Sequence, residues 1–246
     1  MTLARSGFQT FKIKDNSKQR KQDYTAPMID WDRIDTVLLD MDGTLLDLYF
    51  DNYFWLHYLP QHYAEAKHIS LDESKTQLFA QFSQHRGTLN WYCLDFWSAQ
   101  TGLDIVNLKT HIKHLIGVRP NAILFLEKVK QSGRKAVLVT NAHRDSLDLK
   151  MQQIPLQTHF DGIFSSHDFG LPKEHPDFWA RLNEVVHFDP PHTLLIDDSL
   201  AVLRSARNAG IGQTLGVKQP DSRNGVMDTE EFIGLDCFSS IFPPSR

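Results

Sequence analysis

TVLLDMDGTLLD, residues 36–47, carries an apolar run straight into two aspartates one residue apart and on into Gly-Thr. Side chains alternate along a strand, so Asp40 and Asp42 at its carboxyl end point into one crevice while Met41 points away. Two carboxylates gathered at one place repel unless a cation or a shared proton separates them. The stretch therefore asks for a divalent metal or for acid–base chemistry at the end of a buried strand. An Asp-Gly pair alone is an ordinary tight turn. The whole pattern of apolar strand, D-x-D, Gly and Thr is far rarer.

Further short apolar runs, at 136–140, 162–165, 194–197 and 214–217, join 37–40 as expected buried strands, each four to six residues long and bounded by turn-forming or polar residues. Helical patterns alternate with them. The pattern at 121–131 stops at Gly133, 146–154 stops at Pro155, 176–186 stops ahead of Asp189 and two prolines, and 199–209 runs from a Ser199 N-cap to Gly210. This alternation predicts an α/β fold: a Rossmann-like parallel sheet with helices on both faces. The interval 48–117 breaks it, for it holds helical patterns and no convincing strand. An S-x-x-E capping box at 70–73 opens a helix that places Leu71, Leu78, Phe79 and Phe82 on one face, and further helices are expected at 89–100 and 105–116. The expected organisation is a basic, disordered tail at 1–30, an α/β core of 31–47 and 118–246, and an inserted α-helical cap at 48–117.

Composition narrows the partners. A chain of 246 residues with 41% hydrophobic content can bury a real core. A net charge of −4 argues against a nucleic-acid surface, which carries a basic excess. The first 23 residues are locally +4, which leaves −8 for the remainder. So polar a lead-in is expected to be disordered, and Met28 is an alternative start. No apolar run approaches the roughly 18 residues of a membrane span, and the first thirty residues lack a signal-peptide core. The two cysteines, Cys93 and Cys237, lie far apart and outside any C-x-x-C. That fits a reducing compartment, so the expected location is cytoplasmic, with neither membrane nor nucleic-acid partner. The twelve histidines show no metal-ligand spacing, and His111 and His114 read as a solvated helix face.

Four strand ends carry unusual chemistry: Asp40 and Asp42 after the first, Thr140 and Asn141 after the second, Lys173 after the third, and Asp197 and Asp198 after the fourth. Taken in order, DMDGT, TNA, the lysine of LPKE and IDDS resemble the four motifs of the haloacid-dehalogenase-like phosphohydrolases, and the resemblance covers 32–217. The helical interval resembles that family's cap. Within the superfamily, LDLYFDNYFW, TLNWYCLDFW and TNAHRDSL are similar to the bacterial GMP/IMP-type 5′-nucleotidases. The basic tail departs from the compact pattern of the family.

The resemblance implies a magnesium-dependent phosphomonoesterase acting on purine 5′-nucleotides such as GMP and IMP through an aspartyl-phosphate. Asp40 would be the nucleophile, and Asp42 the general acid and then the base. The hydroxyl of Thr140 and the N–H of Asn141 would hold phosphate oxygens while Lys173 neutralises charge. Asp40, the Asp42 carbonyl and Asp198 would bind magnesium, with Asp197 ranked second. Gly43 would let the chain turn sharply, and Thr44 would orient Asp42. Substrate reading falls to Asn52, Trp91, Trp97 and His143; the competing reading is that the aromatics close the cap's own core, since thirteen of the twenty-seven in the chain fall within 48–97. The alternative functions are a phosphosugar phosphatase or phosphomutase on the same core, and a non-catalytic phosphate-binding regulatory module.

Overall fold

Six parallel strands make one sheet in the order β3-β2-β1-β4-β5-β6. They are β1 (Thr36–Leu39), β2 (Lys135–Thr140), β3 (Gly162–Ser165), β4 (Thr193–Asp197), β5 (Gln213–Val217) and β6 (Ile233–Leu235). The computed structural model describes residues 28–245. Since β1 lies centrally and the chain winds away from it in both directions, the sheet reverses its winding between β1 and β4. A crevice opens at the carboxyl ends of strands at such a point. Leu39 stands opposite Leu138 of β2 and Ile196 of β4, so the ends of these three strands are level.

Alternation along the strands builds two cores. Leu38, Val137, Val139 and Leu195 face one side, against Phe178, Trp179 and Leu182 of α9 (Phe178–Val186) and Val202, Leu203 and Ala206 of α10 (Leu200–Asn208). Val37, Leu39, Ala136, Leu138 and Ile196 face the other, against Phe125 and Val129 of α7 (Ala122–Gln131) and Leu147 and Met151 of α8 (Arg144–Gln153). The five expected strands are present. β6 was not foreseen: three residues, with Ile233 about half exposed at the sheet edge, give no periodic signal.

Between β1 and α7 the described chain is helical. Helix α1 (Tyr49–Tyr53) passes through a π-helical stretch (Phe54–Tyr58) into α2 (Leu59–Lys67), followed by α3 (Leu71–His85), α4 (Leu89–Tyr92), α5 (Leu94–Thr101) and α6 (Ile105–His111). The α1–α2 run escaped the sequence reading because the extra residue of the π stretch resets its phase: Phe50, Phe54, Leu59 and Tyr63 are buried at steps of four, five and four. Ser70 caps α3 by accepting the Glu73 N–H (3.2 Å). Only Leu78 and Phe82 of the four expected apolar positions are buried; Leu71 and Phe79 face solvent. The helix expected at 89–100 is broken at Cys93, which is extended (φ −85°, ψ 113°) and caps α5 through its sulfur. A continuous helix would set Trp91 and Trp97 about 240° apart at 100° per residue. The break instead lets Trp97 Nε1 donate to the Trp91 carbonyl (3.0 Å). The helix expected at 105–116 likewise ends at His111, and a 3₁₀ turn (Lys113–Leu115) follows.

Of the expected tail, only 28–30 falls within the described residues, and Ile29 is buried there against the core. The rest of that expectation lies outside them. No helix among the described residues is long and apolar enough to cross a membrane.

Candidate active site

Asp40 leaves β1 with its N–H still bonded to the Ile196 carbonyl (3.0 Å), so its carboxylate stands between the ends of β2 and β4. The chain then turns back: the Met41 carbonyl accepts from the N–H groups of Leu45 (3.0 Å) and Leu46 (2.8 Å). Gly43 makes this possible. Its φ is +82°, and a Cβ there would fall 2.5 Å from Asp198 Oδ2. Thr44 does not orient Asp42; its hydroxyl is buried and has no hydrogen-bond partner among the described residues.

Lys173 is fully buried and points its ammonium at three acceptors: Asp40 Oδ1 (2.6 Å), Asp197 Oδ2 (2.7 Å) and the Val139 carbonyl (3.0 Å). The Asn141 side chain holds the loop that delivers it, accepting the Lys173 N–H at Oδ1 (2.9 Å) and donating through Nδ2 to Glu174 (2.9 Å). Asp197 spends its other oxygen on the Ser199 N–H (2.9 Å). Asp40 Oδ2 is buried with no partner among the described residues. Burial raises the Asp40 carboxyl to about 6 against the pull of Lys173. Burial likewise raises Asp198, with Asp40 adding to it. For Lys173 burial works the other way, and Asp197 and Asp40 overcome it to push the ammonium up. Thr140 Oγ accepts the Ala142 N–H (3.0 Å), which leaves its hydroxyl proton free to donate.

A second ionic cluster adjoins the first. Lys150 of α8 lies 2.6 Å from Asp42 Oδ1 and 2.7 Å from Asp51 Oδ2, while Lys109 of α6 lies 2.8 Å from Asp51 Oδ1. The Lys109 ammonium also sits over the rings of Phe50, Phe54 and Trp55 at 4.5 to 5.3 Å. Burial raises Asp42 to about 6 in spite of Lys150. Burial also acts to raise Asp51, but two ammonium groups outweigh it and hold that carboxyl at about 2. The sequence reading missed both lysines. The available signal was phase: Lys109 shares the buried stripe of Ile105, Leu108 and Ile112, and Lys150 that of Leu147 and Met151. A charge on an apolar stripe calls for a buried partner.

All eleven residues that the sequence assigns to the site line one cavity of about 360 Å³, within the roughly 300–1,000 Å³ of small-molecule sites. They differ in what they expose to it. Asn52 donates to Asp221 Oδ2 (2.7 Å) and so joins α1 to the loop after β5. Trp91 is half-buried, edge-on to Phe82 and under the guanidinium of Arg86. Trp97 is almost wholly buried among Trp55, Phe82, Phe96 and His85 and belongs mainly to the core of the helical segment. His143 caps α8 and lies 3.6 Å from Asp95 across the junction with α5. Tyr92, also unforeseen, reaches from α4 to donate to Glu174 Oε1 (2.6 Å), the residue beside Lys173.

The model of the haloacid dehalogenase-like hydrolase family matches residues 34–210, from the approach to β1 through the end of α10. The chain is a haloacid dehalogenase-like hydrolase. Among such hydrolases, the GMP/IMP nucleotidase YrfG of Escherichia coli (strain K12) is 44% identical over 215 residues, which covers 87% of this chain and 97% of that protein. The fold has solved counterparts at lower identity. A phosphatase of this superfamily from Thermococcus onnurineus superposes with a TM-score of 0.70 at 21% identity, covering 85% of this chain and 96% of that one. CbbY of Rhodobacter sphaeroides, solved in complex with phosphate, gives 0.60 at 17%, covering 84% and 95%.

In this hydrolase the donors at the sheet end suit a hard cation. Carboxylate oxygens of Asp40, Asp197 and Asp198 lie within 4.8 Å of one another. The buried, unpartnered Asp40 Oδ2 gives that cluster an open oxygen donor, and an all-oxygen set is what magnesium takes. Asp197 has both oxygens engaged by protein donors, which leaves Asp40 and Asp198 as the freer pair.

Proposed function

We propose that this hydrolase removes the phosphoryl group from purine 5′-nucleotides such as GMP and IMP. The observation that carries the reading is the pairing of a lysine-held carboxylate, Asp40, with a second carboxylate, Asp42, poised near neutrality in the same cavity. The 44% identity to a GMP/IMP nucleotidase supports the choice of leaving group. Asp40 attacks phosphorus, the bond to the nucleoside oxygen breaks, and Asp42 delivers its proton to that oxygen. Asp42, now ionised, takes a proton from water. The hydroxide so formed attacks the aspartyl-phosphate and frees Asp40 and inorganic phosphate. A carboxyl held at about 6 suits both halves of that cycle at neutral pH. The Thr140 hydroxyl, the Asn141 N–H and the Lys173 ammonium receive the phosphoryl oxygens.

Magnesium would be held by Asp40, the Asp42 carbonyl and Asp198, and would supply charge neutralisation for the phosphoryl group. Asp197 serves this reading chiefly by fixing Lys173. Residues 48–117 act as a cap on a core of 31–47 and 118–246. The motifs at the strand ends touch only the phosphoryl group, so the cap must read the rest of the substrate, through Asn52, Trp91 and Tyr92 at its inner face, with His143 facing it from the core and Trp97 supporting from behind.

A panel of phosphomonoesters assayed with magnesium tests the proposal. Purine 5′-nucleotides are expected to show the highest kcat/KM, ahead of p-nitrophenyl phosphate. Hexose phosphates outrunning every purine nucleotide would refute the substrate class while leaving the phosphatase standing. No turnover of any phosphomonoester would favour the phosphate-binding module instead.

A further inference from the structure

Three side chains remote from one another in sequence meet where the helical segment adjoins the sheet. Cys93 comes from the break between α4 and α5, His143 from the start of α8, and His167 from the turn after β3. One donor atom from each lies within 4.8 Å of the other two. The two imidazoles stand edge to face with centroids 4.9 Å apart. Sequence spacing hides this group, since no two of its members share an element.

Each member is set up as a donor. His167 Nε2 is buried with no hydrogen-bond partner among the described residues, a state that is unfavourable unless something binds there. Cys93 Sγ accepts the Phe96 N–H (3.4 Å), which fixes the sulfur at the start of α5. His143 is flanked by the carboxylates of Asp95 (3.6 Å) and Asp145 (3.4 Å), the kind of outer partner that orients a ligating imidazole. All three residues are half-buried, so an ion can reach them.

We propose that Cys93, His143 and His167 form a site for a borderline-soft divalent transition metal, with zinc as its representative, and that filling it ties the helical segment to the core. One sulfur and two imidazoles are a poor donor set for magnesium and a good one for zinc, so the two sites sort metals by chemistry. Bond lengths of about 2.0–2.3 Å put donors around tetrahedral zinc roughly 3.3–3.7 Å apart, so the cluster need close by no more than about 1.5 Å on binding. Asp95, 3.6 Å from His143 Nε2, steadies that imidazole. Binding releases the Cys93 proton to solvent and forms the metal–sulfur bond in its place. Cys93 travels with the helical segment and both histidines with the core, and His143 lines the cavity. An ion bound here therefore pins the cavity's rim and inhibits turnover without displacing magnesium. The inference stands on these donors alone and does not depend on which phosphomonoester is the substrate.

Cobalt is the spectroscopic probe. With magnesium saturating, titration of the full chain with Co²⁺ is expected to produce a thiolate-to-cobalt charge-transfer band at one equivalent, bleached by added zinc. Cys93→Ser should abolish the band and Cys237→Ser should leave it. In parallel, Cys93→Ser and His167→Ala, each normalised to its own zinc-free rate, should need at least ten times more zinc for half-inhibition than the unsubstituted protein. If Cys93→Ser fails to fold, His167→Ala carries the same comparison through a tenfold weaker cobalt affinity. Absence of the band from the unsubstituted protein, its persistence in Cys93→Ser, or equal zinc sensitivity in all proteins would overturn the proposal.

Discussion

Two lysine–carboxylate clusters share one cavity, and the carboxylate at the outer end of the second, Asp51, is balanced in the opposite direction from Asp40. At the sheet end, Lys173 ties Asp40 to Asp197, residues that follow or end adjacent strands in fixed register. Beside it, Lys150 and Lys109 tie Asp42 to Asp51 and so join α1 and α6 to α8 and to the loop after β1. Burial wins at Asp40, whose carboxyl rises to about 6; the two ammonium groups win at Asp51, whose carboxyl falls to about 2. Ionised Asp40 is thus held against its preference where a nucleophile is wanted. Ionised Asp51 is held with it, where the helical segment meets the core. One region concentrates unfavourable charge for chemistry and the other uses charge as an attachment.

The largest effect that separates the two is on turnover. Asp40→Asn is expected to remove activity while the fold persists, because a neutral amide is a poor nucleophile; substantial steady-state hydrolysis by this variant would break the assignment. Asp42→Asn keeps the nucleophile and loses proton transfer, with an expected fall in kcat of roughly 10²- to 10⁴-fold. An activated leaving group such as p-nitrophenol should be least affected in the first chemical step.

Stability is expected to respond with opposite signs. Asp51→Asn strands the buried Lys109 ammonium and leaves Lys150 with Asp42 alone, and it should cost roughly 3–5 kcal/mol by denaturant unfolding, in the range seen when one partner of a buried pair is removed. Asp40→Asn, in protein freed of divalent metal, should instead raise the melting temperature, since its ionised form is disfavoured by folding. The pH dependence sharpens this. A carboxyl raised from 3.8 to about 6 binds its proton more tightly when folded, so its contribution to stability falls as pH rises from about 4 to 6. Asp51 contributes stability that is present above 3.8 and lost as pH falls through about 2. Asp40→Asn should reduce the first slope to the part that Asp42, also raised to about 6, contributes, and Asp51→Asn should remove the loss at low pH. Identical slopes in all three proteins would erase the distinction.

The smallest expected effect is on selectivity. Base stacking on an aromatic is worth roughly 1–3 kcal/mol in nucleic-acid complexes. Trp91→Leu should therefore lower the ratio of purine-nucleotide to p-nitrophenyl phosphate turnover by about 5- to 150-fold and spare the generic substrate. Trp97, packed on every side, should respond differently: Trp97→Leu should lower the melting temperature and depress all substrates together.

What could be read from sequence divides along the same line as the two clusters. Asp40, Thr140, Lys173, Asp197 and Asp198 are carried to one place by strand ends and the loops that follow them, and apolar runs ending in polar residues announce that geometry locally. Asp51, Lys109 and Lys150 converge from three helices, and nothing short-range links 51 to 109 to 150. The π-helical stretch at Phe54–Tyr58 shifted the phase of the first long helix, and the break at Cys93 split another, so the periodic pattern was weakest in the helical segment. Asn52 and Trp91 were nonetheless singled out from sequence, and both line the cavity. Their partners, Asp221 and Arg86, emerged only from packing. His167 belonged to no motif, and Cys93 lay within TLNWYCLDFW without being given a role.

The most direct measurement is mass-spectrometric mapping of the Asp42→Asn protein after brief reaction with p-nitrophenyl phosphate and magnesium. Loss of the base should leave the aspartyl-phosphate long-lived, and the expected result is a single phosphoryl group on Asp40. A phosphoryl group on any other residue, or p-nitrophenol released in a single turnover with no covalent adduct, would contradict the assignment of Asp40 as nucleophile.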